Sequence, residues 1–562
     1  MTTPRFAVRS VAIIGAGSSG LTAARYIQEQ GVYDRVVVYE QRSEVGGIWN
    51  YSSRPTDQEH IPQESPYFRP DAPLQPGDGK TGAPEFSTAT YDELYVNIPH
   101  HLMGFTDMAI RDVHEAKHPG EPLPIFPHRR TIAEYLISYS QDVRHLIRFN
   151  TKVDNVRLLR RPRNWQRIGT NGATNRATDD SVDSWEIHSS DTRSGTPTVE
   201  TFDAVLVAQG HYDITYVPAI ANIEAFDEAY PGTLTHSKRY RNPAPFRGKK
   251  VIVVGSSASG LDISTQIKTV TKELYMSVRT PVISDQFKKL TGAEEVPPIQ
   301  EFLVEERGVR LADGRVLRDI DAVIFGTGYL FSLPFLQQAK PTEAEAQDTV
   351  SGLGAMLSNG RRIHRLYDDM FHIDHPTLAF LCLPMMVVPY SLTQAQAAVV
   401  SRVWANTLDL PTTEEMNEWE REAGKVRGPT FHKWKHNDDG VYVNACYERI
   451  MHGPQSATAR AGKEPPHWDD RLVWMRAITL FGKVKFEEGG QKATSLQELG
   501  YVYEEDWKEK QAEAEAEAAA AAAAAATSIA KDNTLVAAVA KDVPTAAINV
   551  TAPVAAVAVS GA

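Results

Sequence analysis

Two stretches of this chain each combine a short apolar run, a glycine turn and an amphipathic helix pattern, and they constrain its fold more than any other feature. The first reads SVAIIGAGSSG from Ser10, and the second reads KKVIVVGSSASG from Lys249. A β-branched run that leads into such a turn and helix is the opening of a βαβ unit. Two such units predict an α/β protein with two Rossmann-like dinucleotide-binding domains.

The first turn carries the complete G-x-G-x-x-G spacing at Gly15, Gly17 and Gly20. The first glycine permits the tight turn, the second lets the backbone approach a pyrophosphate, and the third lets the helix pack on the strand. Glu40 ends the following strand, where a carboxylate accepts hydrogen bonds from both ribose hydroxyls. Because a carboxylate disfavours a 2′-phosphate, the first site is predicted to bind FAD or NAD. Just beyond, Trp49 in EVGGIW offers a flat apolar face to a ligand, the alternative being a buried tryptophan behind a Gly-Gly turn.

The second turn keeps Gly255 and Gly260 but has Ser257 in place of the middle glycine. The added side chain holds a pyrophosphate slightly further off or donates a hydrogen bond to it. The next strand ends with Arg279 and Thr280 and has no acid there. Because a guanidinium binds a 2′-phosphate through two parallel hydrogen bonds, this site is predicted to bind NADPH, the alternative being an ordinary surface arginine.

The bulk properties exclude several other classes of protein. A length of 562 residues indicates two or three domains, and a net charge of −12 argues against nucleic acid as the main partner. The sequence shows neither the apolar core of a secretory signal nor an apolar run of the ~20 residues that span a bilayer, so a cytoplasmic location is expected. With only Cys382 and Cys446, we expect no metal site and no redox-active cysteine pair, which leaves oxygen as the natural electron acceptor.

Further motifs resemble those of the flavin-containing monooxygenases over about residues 8–405. The family's linker fingerprint, F-x-G-x-x-x-H-x-x-x-(F/Y), is matched by Tyr230, Gly232, His236 and Tyr240, with tyrosine in place of the first phenylalanine. EVGGIW, VNIPHHLMGFTD, VAQG and FGTGY match as well. The last two correspond to A-T-G-like crossings between domains, from which Gln209 and Gly326 depart.

The resemblance implies an architecture and a reaction. An NADPH-binding domain at residues 215–333 is inserted into a discontinuous FAD-binding domain at 1–214 and 334–510, and an Ala-rich tail, helical or disordered, follows at 511–562. NADPH reduces FAD, oxygen forms a flavin C4a-hydroperoxide, and an amine nitrogen or a thiol or thioether sulfur of a small molecule takes the distal oxygen. No membrane partner is implied, and because relatives are often dimers a homodimer stays open.

The resemblance also implies a catalytic residue. Asn97 matches the asparagine that lies between flavin and nicotinamide, where a neutral amide donates and accepts hydrogen bonds without titrating; the alternative is a turn asparagine before Pro99. His236, with Lys238, Arg239 and Arg241, is expected to hold the anionic part of NADP, the alternative being a hinge histidine. The predicted cofactor-binding residues are Gly15, Gly17, Ser18, Ser19, Gly20, Glu40, Gln41, Gly47, Ile48, Trp49, Asn97, Ile98, Val153, His236, Gly255, Ser257, Ser259, Gly260, Asp262, Arg279 and Thr280.

Other segments receive structural predictions. His100 and His101 are expected in an extended segment, pointing opposite ways, and HIDH at residues 372–375 is expected to be a loop without metal. FLCLPMMVVPYSLTQAQ is predicted to cover the flavin ring and to begin a helix near Ser391, although core packing explains its methionines equally well. Residues 51–90 and 335–369 are expected to shape the substrate pocket, and a polar insertion is expected at 161–183.

Three alternatives stay open at this point. A Baeyer–Villiger monooxygenase would oxidise a ketone, but those enzymes usually carry tryptophan where Tyr240 stands. An N-hydroxylase of amino-acid side chains would lack the linker motif. A non-catalytic flavin redox sensor has no need of the second nucleotide site. The physiological substrate does not follow from the sequence.

Overall fold

The computed structural model describes residues 6–55, 60–68, 70–74, 84–162, 167–168, 174–175, 181–279, 285–336, 353 and 356–509. Thr280, the Ala-rich tail and most of the polar insertion predicted at 161–183 lie outside the described residues. Within the described part, no helix has both the length and the hydropathy that a membrane span requires.

The strands, numbered in chain order, are β1 Ser10–Ile14, β2 Arg35–Tyr39, β3 Ile147–Arg148, β4 Thr151–Pro162, β5 Arg167–Ile168, β6 Thr174–Asn175, β7 Ser181–Asp191, β8 Pro197–Phe202, β9 Ala204–Val207, β10 Ile214–Thr215, β11 Leu234–His236, β12 Lys250–Val254, β13 Glu273–Ser277, β14 Glu294–Val296, β15 Ile299–Leu303, β16 Gly308–Leu311, β17 Val316–Leu317, β18 Ala322–Phe325, β19 Tyr329–Leu330, β20 Leu366–Tyr367, β21 Phe371–His372 and β22 Leu378–Phe380. The helices are α1 Ser18–Glu29, α2 His100–Met103, α3 Ile110–Lys117, α4 Arg129–Tyr139, α5 Ile223–Ala229, α6 Ala258–Ile267, α7 Asp285–Thr291, α8 Pro389–Trp404, α9 Thr413–Arg427, α10 Asp438–Met451, α11 Ser456–Ala459 and α12 Asp470–Glu488.

The first glycine turn belongs to a seven-stranded sheet with the order β20-β21-β22-β9-β1-β2-β3. From β22 to β3 the neighbours are parallel, whereas β20, β21 and β22 pair antiparallel. Strand β1 is buried on both faces, so its apolar residues read continuously: Val11 and Ile13 pack into one core cluster, Ala12 and Ile14 into another. Helices α1 and α8 contribute to the first cluster, and the antiparallel sheet β4-β7-β8 to the second.

The second glycine turn belongs to a parallel five-stranded sheet with the order β11-β18-β12-β13-β14. Its central strand β12 is likewise covered on both faces, with Ile252 in one core cluster and Val251 and Val253 in another. The parallel strands of the two sheets confirm the predicted α/β fold with two Rossmann-like units. We call them unit 1 (the seven-stranded sheet) and unit 2 (the five-stranded sheet).

The chain passes between the two units at two points that lie side by side. Strand β10 follows the last residues of β9, β19 follows β18, and the two pair antiparallel through Ile214 with Leu330 and Thr215 with Tyr329. All strands of unit 2 fall between these crossings, while β20, β21 and β22 return to unit 1. Two hydrogen bonds reinforce the crossings, because Gln209 Nε2 donates to the Ser332 carbonyl at 2.6 Å and the Thr327 hydroxyl donates to the Tyr216 carbonyl.

Candidate functional site

The first glycine turn lies at the carboxyl end of β1, next to β9, where the strand order of unit 1 reverses and open α/β sheets bind their ligands. Gly15 has a φ of +101°, and a Cβ there would lie 2.6 Å from the Ala208 carbonyl oxygen. A Cβ on Gly20 would lie 1.8 Å from the Gly15 oxygen. Both glycines are therefore required by the fold, because a side chain at either position would clash with a backbone oxygen of the protein.

Gly17 differs from its two neighbours in the motif. It caps the N-terminus of α1 with extended backbone, and no side chain caps the helix amides of Ser18 and Ser19. A Cβ on Gly17 would have Gly47 Cα as its nearest protein neighbour, at 3.7 Å, which is an ordinary contact. Only Gly47 lies within 4 Å of such a Cβ, so the turn fits the pyrophosphate of a dinucleotide, which binds at helix N-termini of this kind.

Glu40 lies directly beneath this turn and is 3% exposed. Its carboxylate accepts hydrogen bonds from the Ala16 amide at 2.9 Å and the Arg42 amide at 2.8 Å. Burial raises the pKa of Glu40, and Arg42 partly offsets this effect. Because a carboxylate has about four acceptor positions, these two bonds leave capacity for the predicted ribose contact.

The EVGGIW segment faces the same turn. Gly47 begins a short 3-10 helix, Gly47–Trp49, and a Cβ on it would lie 3.1 Å from Gly17 Cα. Trp49 is half-buried and packs against the core of unit 1. Two other predicted cofactor-binding residues lie nearby. Ile48 is half-buried, and the Gln41 carbonyl accepts a hydrogen bond from the Thr192 hydroxyl.

The second turn reproduces the geometry of the first. Gly255 has a φ of +105°, its Cβ would lie 2.8 Å from the Gly326 carbonyl oxygen, and a Cβ on Gly260 would lie 2.0 Å from the Gly255 oxygen. Ser257 caps the N-terminus of α6, is exposed, and makes no capping hydrogen bond with its side chain. Its hydroxyl and the α6 amides, including that of Ser259, fit the pyrophosphate of a second dinucleotide.

Arg279 lies two residues beyond the end of β13 and is exposed. No ion pair joins it to another of the described residues, which leaves the guanidinium accessible to a phosphate. In unit 1, β2 is thus followed by the buried carboxylate of Glu40. In unit 2, the equivalent strand β13 is followed by the exposed guanidinium of Arg279.

Asn97 lies in a bend just ahead of α2, and its side chain is exposed. Among the described residues, no hydrogen-bond partner holds its amide, while Ile98 packs against the core of unit 1. The prediction for the following histidines is wrong: Pro99 caps a short helix, and the rings of His100 and His101 stack with centroids 3.9 Å apart.

The linker places His236 in the interior, 0% exposed, at the end of β11. Its Nδ1 accepts a hydrogen bond from the Lys238 amide at 3.1 Å, and its Nε2 donates to the Gly328 carbonyl at 3.0 Å. Burial lowers the pKa of His236 to about 3, so the ring is neutral. This is the geometry of the hinge alternative, and it gives no support to the expected contact with an anionic cofactor.

The other linker cations are also engaged within the protein. Lys238 is 2% exposed and forms ion pairs with Asp71 at 2.8 Å and Asp213 at 2.6 Å. Burial opposes its charge, yet the two carboxylates raise the pKa of Lys238. Arg241 donates to the carbonyls of Lys238 and Tyr240. Lys238 therefore fastens the linker to Asp213 at the domain crossing. A contact of Lys238, Arg239 or Arg241 with NADP stays a prediction.

Two further residues that were predicted to bind a cofactor have their side chains engaged in other contacts. The Asp262 carboxylate accepts a hydrogen bond from the Tyr91 hydroxyl and another from Gln266 Nε2 at 3.3 Å, so it belongs to a contact between segments rather than to the glycine turn. Val153 has its side chain in the core of unit 1, beside a register shift in the β4–β7 pair, which leaves only its backbone for a cofactor.

Some features of the site had no sequence signal. Ser19 lies with its hydroxyl 3.3 Å from that of Thr393 in α8, so the N-termini of two helices meet at the first turn although 374 residues separate the pair. Helix α8 begins at Pro389, close to the predicted start. Of the two methionines before it, Met385 packs against the core and Met386 is 43% exposed.

The histidines of HIDH have structural partners. His372 Nδ1 accepts a hydrogen bond from the His375 amide, and the His375 ring lies 2.8 Å from the Asp183 carboxylate. Across the part of the chain that the structure describes, no cluster of three or more side chains is arranged to hold a metal ion.

Comparison with known proteins gives consistent matches. A family model described as flavin-binding monooxygenase-like matches residues 81–289 and 280–449, and a model of an NAD(P)-binding Rossmann-like domain matches residues 13–73. The chain is 30% identical over 476 residues to the thiol-specific monooxygenase of Saccharomyces cerevisiae, covering 83% of this chain and 90% of that protein. It is 28% identical over 420 residues to the flavin-containing monooxygenase FMO GS-OX1 of Arabidopsis thaliana, covering 73% and 77%.

Among solved structures, the S-allyl-L-cysteine S-oxygenase of Allium sativum matches with a TM-score of 0.60 and 24% identity, over 85% of this chain and 100% of that one. Tmm from Pelagibacter sp. strain HTCC7211 matches with a TM-score of 0.57 and 21% identity, over 85% and 91%. At these identities the likeness shows a shared fold.

Proposed function

The chain belongs to the flavin-binding monooxygenase-like family, and from this premise we propose that this flavin-dependent monooxygenase binds FAD in unit 1 and NADPH in unit 2 and oxygenates the sulfur of a small thiol or thioether. The family match confirms the resemblance indicated by the linker motif, and with it the use of FAD and NADPH. Which unit takes which cofactor, and which atom is oxygenated, are the content of the proposal.

The opposite charges at the two glycine turns support the cofactor assignment. In unit 1 the buried carboxylate of Glu40 accepts hydrogen bonds from bare ribose hydroxyls and would repel a 2′-phosphate. In unit 2 the exposed guanidinium of Arg279 attracts one. Unit 2 would therefore hold the nicotinamide that supplies hydride, and unit 1 would hold the flavin that accepts it. The opposite charges beside the two glycine turns are the observation on which the proposal rests.

The relatives support sulfur as the oxygenated atom. The thiol-specific monooxygenase resembles this chain over most of both lengths, and the structurally similar Allium protein is an S-oxygenase. An amine nitrogen is also a soft nucleophile and stays the second substrate class. We extend the proposal to the domain boundaries at residues 214, 333 and 510; the positions of β10 and β19 support the first two.

Bound FAD supplies the oxygen-activating chemistry, so the side chains need to bind, orient and exclude water. Asn97 suits this task because its amide is neutral, exposed and unengaged among the described residues. It donates and accepts hydrogen bonds without changing charge between pH 5 and 9. Cover of the flavin by the segment before α8 stays a prediction, since Leu383 and Val388 are 7% and 1% exposed and pack within the core clusters of unit 1.

A substrate panel tests the activity. Purified protein should be yellow and should oxidise NADPH in air. A cysteine-type thiol, a thioether, a tertiary amine and a cyclic ketone are each added, while NADPH loss, hydrogen peroxide release and products are measured. We expect sulfur substrates to give oxygenated product with the least free hydrogen peroxide. A lactone as the main product would refute the sulfur proposal, and colourless protein indifferent to NADPH would refute the cofactor assignment.

The variant Asn97→Leu tests the role of the amide. Leucine fills a similar volume without hydrogen-bonding groups, so the flavin content and Tm of the variant should match the wild type. We expect product to fall about 10²-fold, the scale of losing one well-placed donor in an active site, while hydrogen peroxide per NADPH rises towards one. Unchanged coupling would remove Asn97 from the mechanism.

A further inference from the structure

The segment 91–97, which ends at Asn97, has its backbone fixed to unit 1. The Val96 amide donates to the Pro127 carbonyl at 2.9 Å, and the Arg129 amide donates to the Leu94 carbonyl at 2.9 Å. The Arg129 guanidinium donates to the Tyr91 carbonyl at 2.9 Å as well. These bonds join the main chain of the segment to unit 1, while its Asp92 amide donates to the Arg241 carbonyl of the linker at 2.9 Å.

The side chain of Tyr91 lies in the other unit. It is 5% exposed and packs in the core cluster of unit 2 with Val251, Val253 and Ile263. Its ring meets that of Tyr240 in the linker edge to face, with centroids 5.2 Å apart. At the far end of the ring, its hydroxyl donates to the Asp262 carboxylate on α6. The segment thus bridges the two nucleotide-binding units.

Neighbouring groups complete this bridge. Gln266, one turn along α6 from Asp262, donates to the Glu93 carbonyl at 3.0 Å and accepts from the Tyr240 hydroxyl at 2.9 Å. Lys483 of α12 donates to the Tyr95 carbonyl at 3.3 Å and pairs with Glu487 at 2.6 Å. Every contact from unit 2 reaches the segment within six residues of Asn97.

We propose that Tyr91 and Asp262 are positioning residues, which set the place of Asn97 according to how unit 2 is docked. The inference rests on the role of Asn97 proposed above. Because none of the described residues holds the Asn97 amide by a hydrogen bond, its position depends on the backbone that Tyr91 anchors. A displacement of about 1 Å in such a group is enough to reduce catalysis about 10²-fold. Docking of the NADPH-binding unit therefore prepares the oxygenation site before oxygen transfer.

Hydrogen–deuterium exchange of the holoenzyme, with NADP⁺ bound, measures this coupling independently of activity. Tyr91→Phe keeps the buried ring and removes only the hydroxyl. We expect peptides that cover residues 91–97 to exchange roughly tenfold faster, the factor that corresponds to losing a hydrogen bond of about 1.4 kcal/mol. Tyr33→Phe is the matched control, because its hydroxyl donates to the Ser401 carbonyl within unit 1. It should leave exchange in this segment unchanged.

The second pair of variants separates positioning from general destabilisation. Asp262→Asn keeps an oxygen that accepts the Tyr91 hydrogen bond, so exchange and the hydrogen peroxide released per NADPH should stay within about twofold of wild type. Asp262→Ala removes the acceptor and should reproduce Tyr91→Phe in both measurements, with no change in flavin content. Equal effects of the asparagine and alanine variants, or unaltered exchange in Tyr91→Phe, would overturn the proposal.

The two proposals fail in different ways. If Asn97→Leu does not release more hydrogen peroxide, the role of Asn97 is wrong, whatever the exchange data show. If Asn97→Leu uncouples the reaction but Tyr91→Phe exchanges and couples like the wild type, the positioning role is wrong and the proposed function stands.

Discussion

Replacing Gly17 by alanine should separate the requirements of the fold from those of the cofactor. The added methyl would meet its nearest protein atoms, Cα and N of Gly47, at 3.7 and 4.0 Å, which are ordinary contacts. The backbone of Gly17, with φ −72° and ψ −174°, is accessible to alanine. We therefore expect the protein freed of FAD to lose no more than about 1 kcal/mol of stability, the scale of a poorer helix cap.

The added methyl group should instead weaken the binding of FAD. The space that the methyl enters is the one through which a pyrophosphate approaches the α1 amides, and overpacking of this kind costs about 1–3 kcal/mol. That range corresponds to an increase in Kd of about 5- to 150-fold. Ser257 stands at the equivalent position of unit 2, so a side chain there is compatible with the proposed NADPH site and Ser257→Gly should leave NADPH binding within a few-fold.

The assay is titration of the FAD-free protein with FAD, followed by the change in flavin fluorescence, together with thermal unfolding before FAD is added. Gly20→Ala is the comparison variant, because its methyl would lie 1.8 Å from the Gly15 oxygen and should destabilise the fold itself. If Gly17→Ala bound FAD like the wild type, the reasoning that assigns this turn to FAD would be refuted. If it unfolded like Gly20→Ala, the space above the turn would not be free.

Three other predictions concern charge. Arg279→Ala should raise the KM for NADPH about 10-fold or more while leaving that for NADH nearly unchanged, since only NADPH carries the 2′-phosphate; equal effects on both would place the phosphate elsewhere. Burial raises the pKa of Asp262 to about 6 from an ordinary value of 3.8, so its contribution to stability is present below about pH 4 and lost as the pH rises to about 6. The Tm of Asp262→Asn should therefore gain on that of the wild type as the pH increases through this window, and a constant difference would contradict the assignment. Arg402 is 0% exposed and donates to three backbone carbonyls, those of Ala398, Ala459 and Lys463. Arg402→Met should lower the free energy of unfolding by about 2–4 kcal/mol, measured as a fall in Tm, and a Tm within 2 °C of the wild type would show that water replaces the guanidinium.

The parts of the site that sequence reasoning predicted are those with local causes. Gly15 and Gly255 have the positive φ of a tight turn, and Gly20 and Gly260 are required by the oxygens of Gly15 and Gly255, five residues earlier. The local pattern therefore predicts the turns, whereas the contacts of Gly15 with Ala208 and of Gly255 with Gly326 join distant segments. The wrong prediction at His100 also has a local cause, because proline is compatible both with an extended segment and with the start of a helix, and Pro99 caps α2.

The parts that sequence reasoning missed depend on partners far along the chain. Nothing near Asp262 indicates that its carboxylate meets Tyr91, 171 residues earlier. The ion pairs of Lys238 have no sequence signal, because Asp71 and Asp213 lie far from it along the chain and approach it only in the folded protein. A charged side chain in a linker has the same appearance in a sequence whether it binds a ligand or a carboxylate of its own protein.

The interruption of the seven-stranded sheet by unit 2 has a consequence for the nascent chain. Strand β9 has β1, earlier in the chain, as one neighbour, but its other neighbour, β22, begins at Leu378, about 170 residues later. At synthesis rates of roughly 5–20 residues per second, that edge stays open for about 10–30 s. An unpaired apolar strand edge is prone to pair with another chain, so the first half of this protein should depend on chaperones until its last parallel strand is translated.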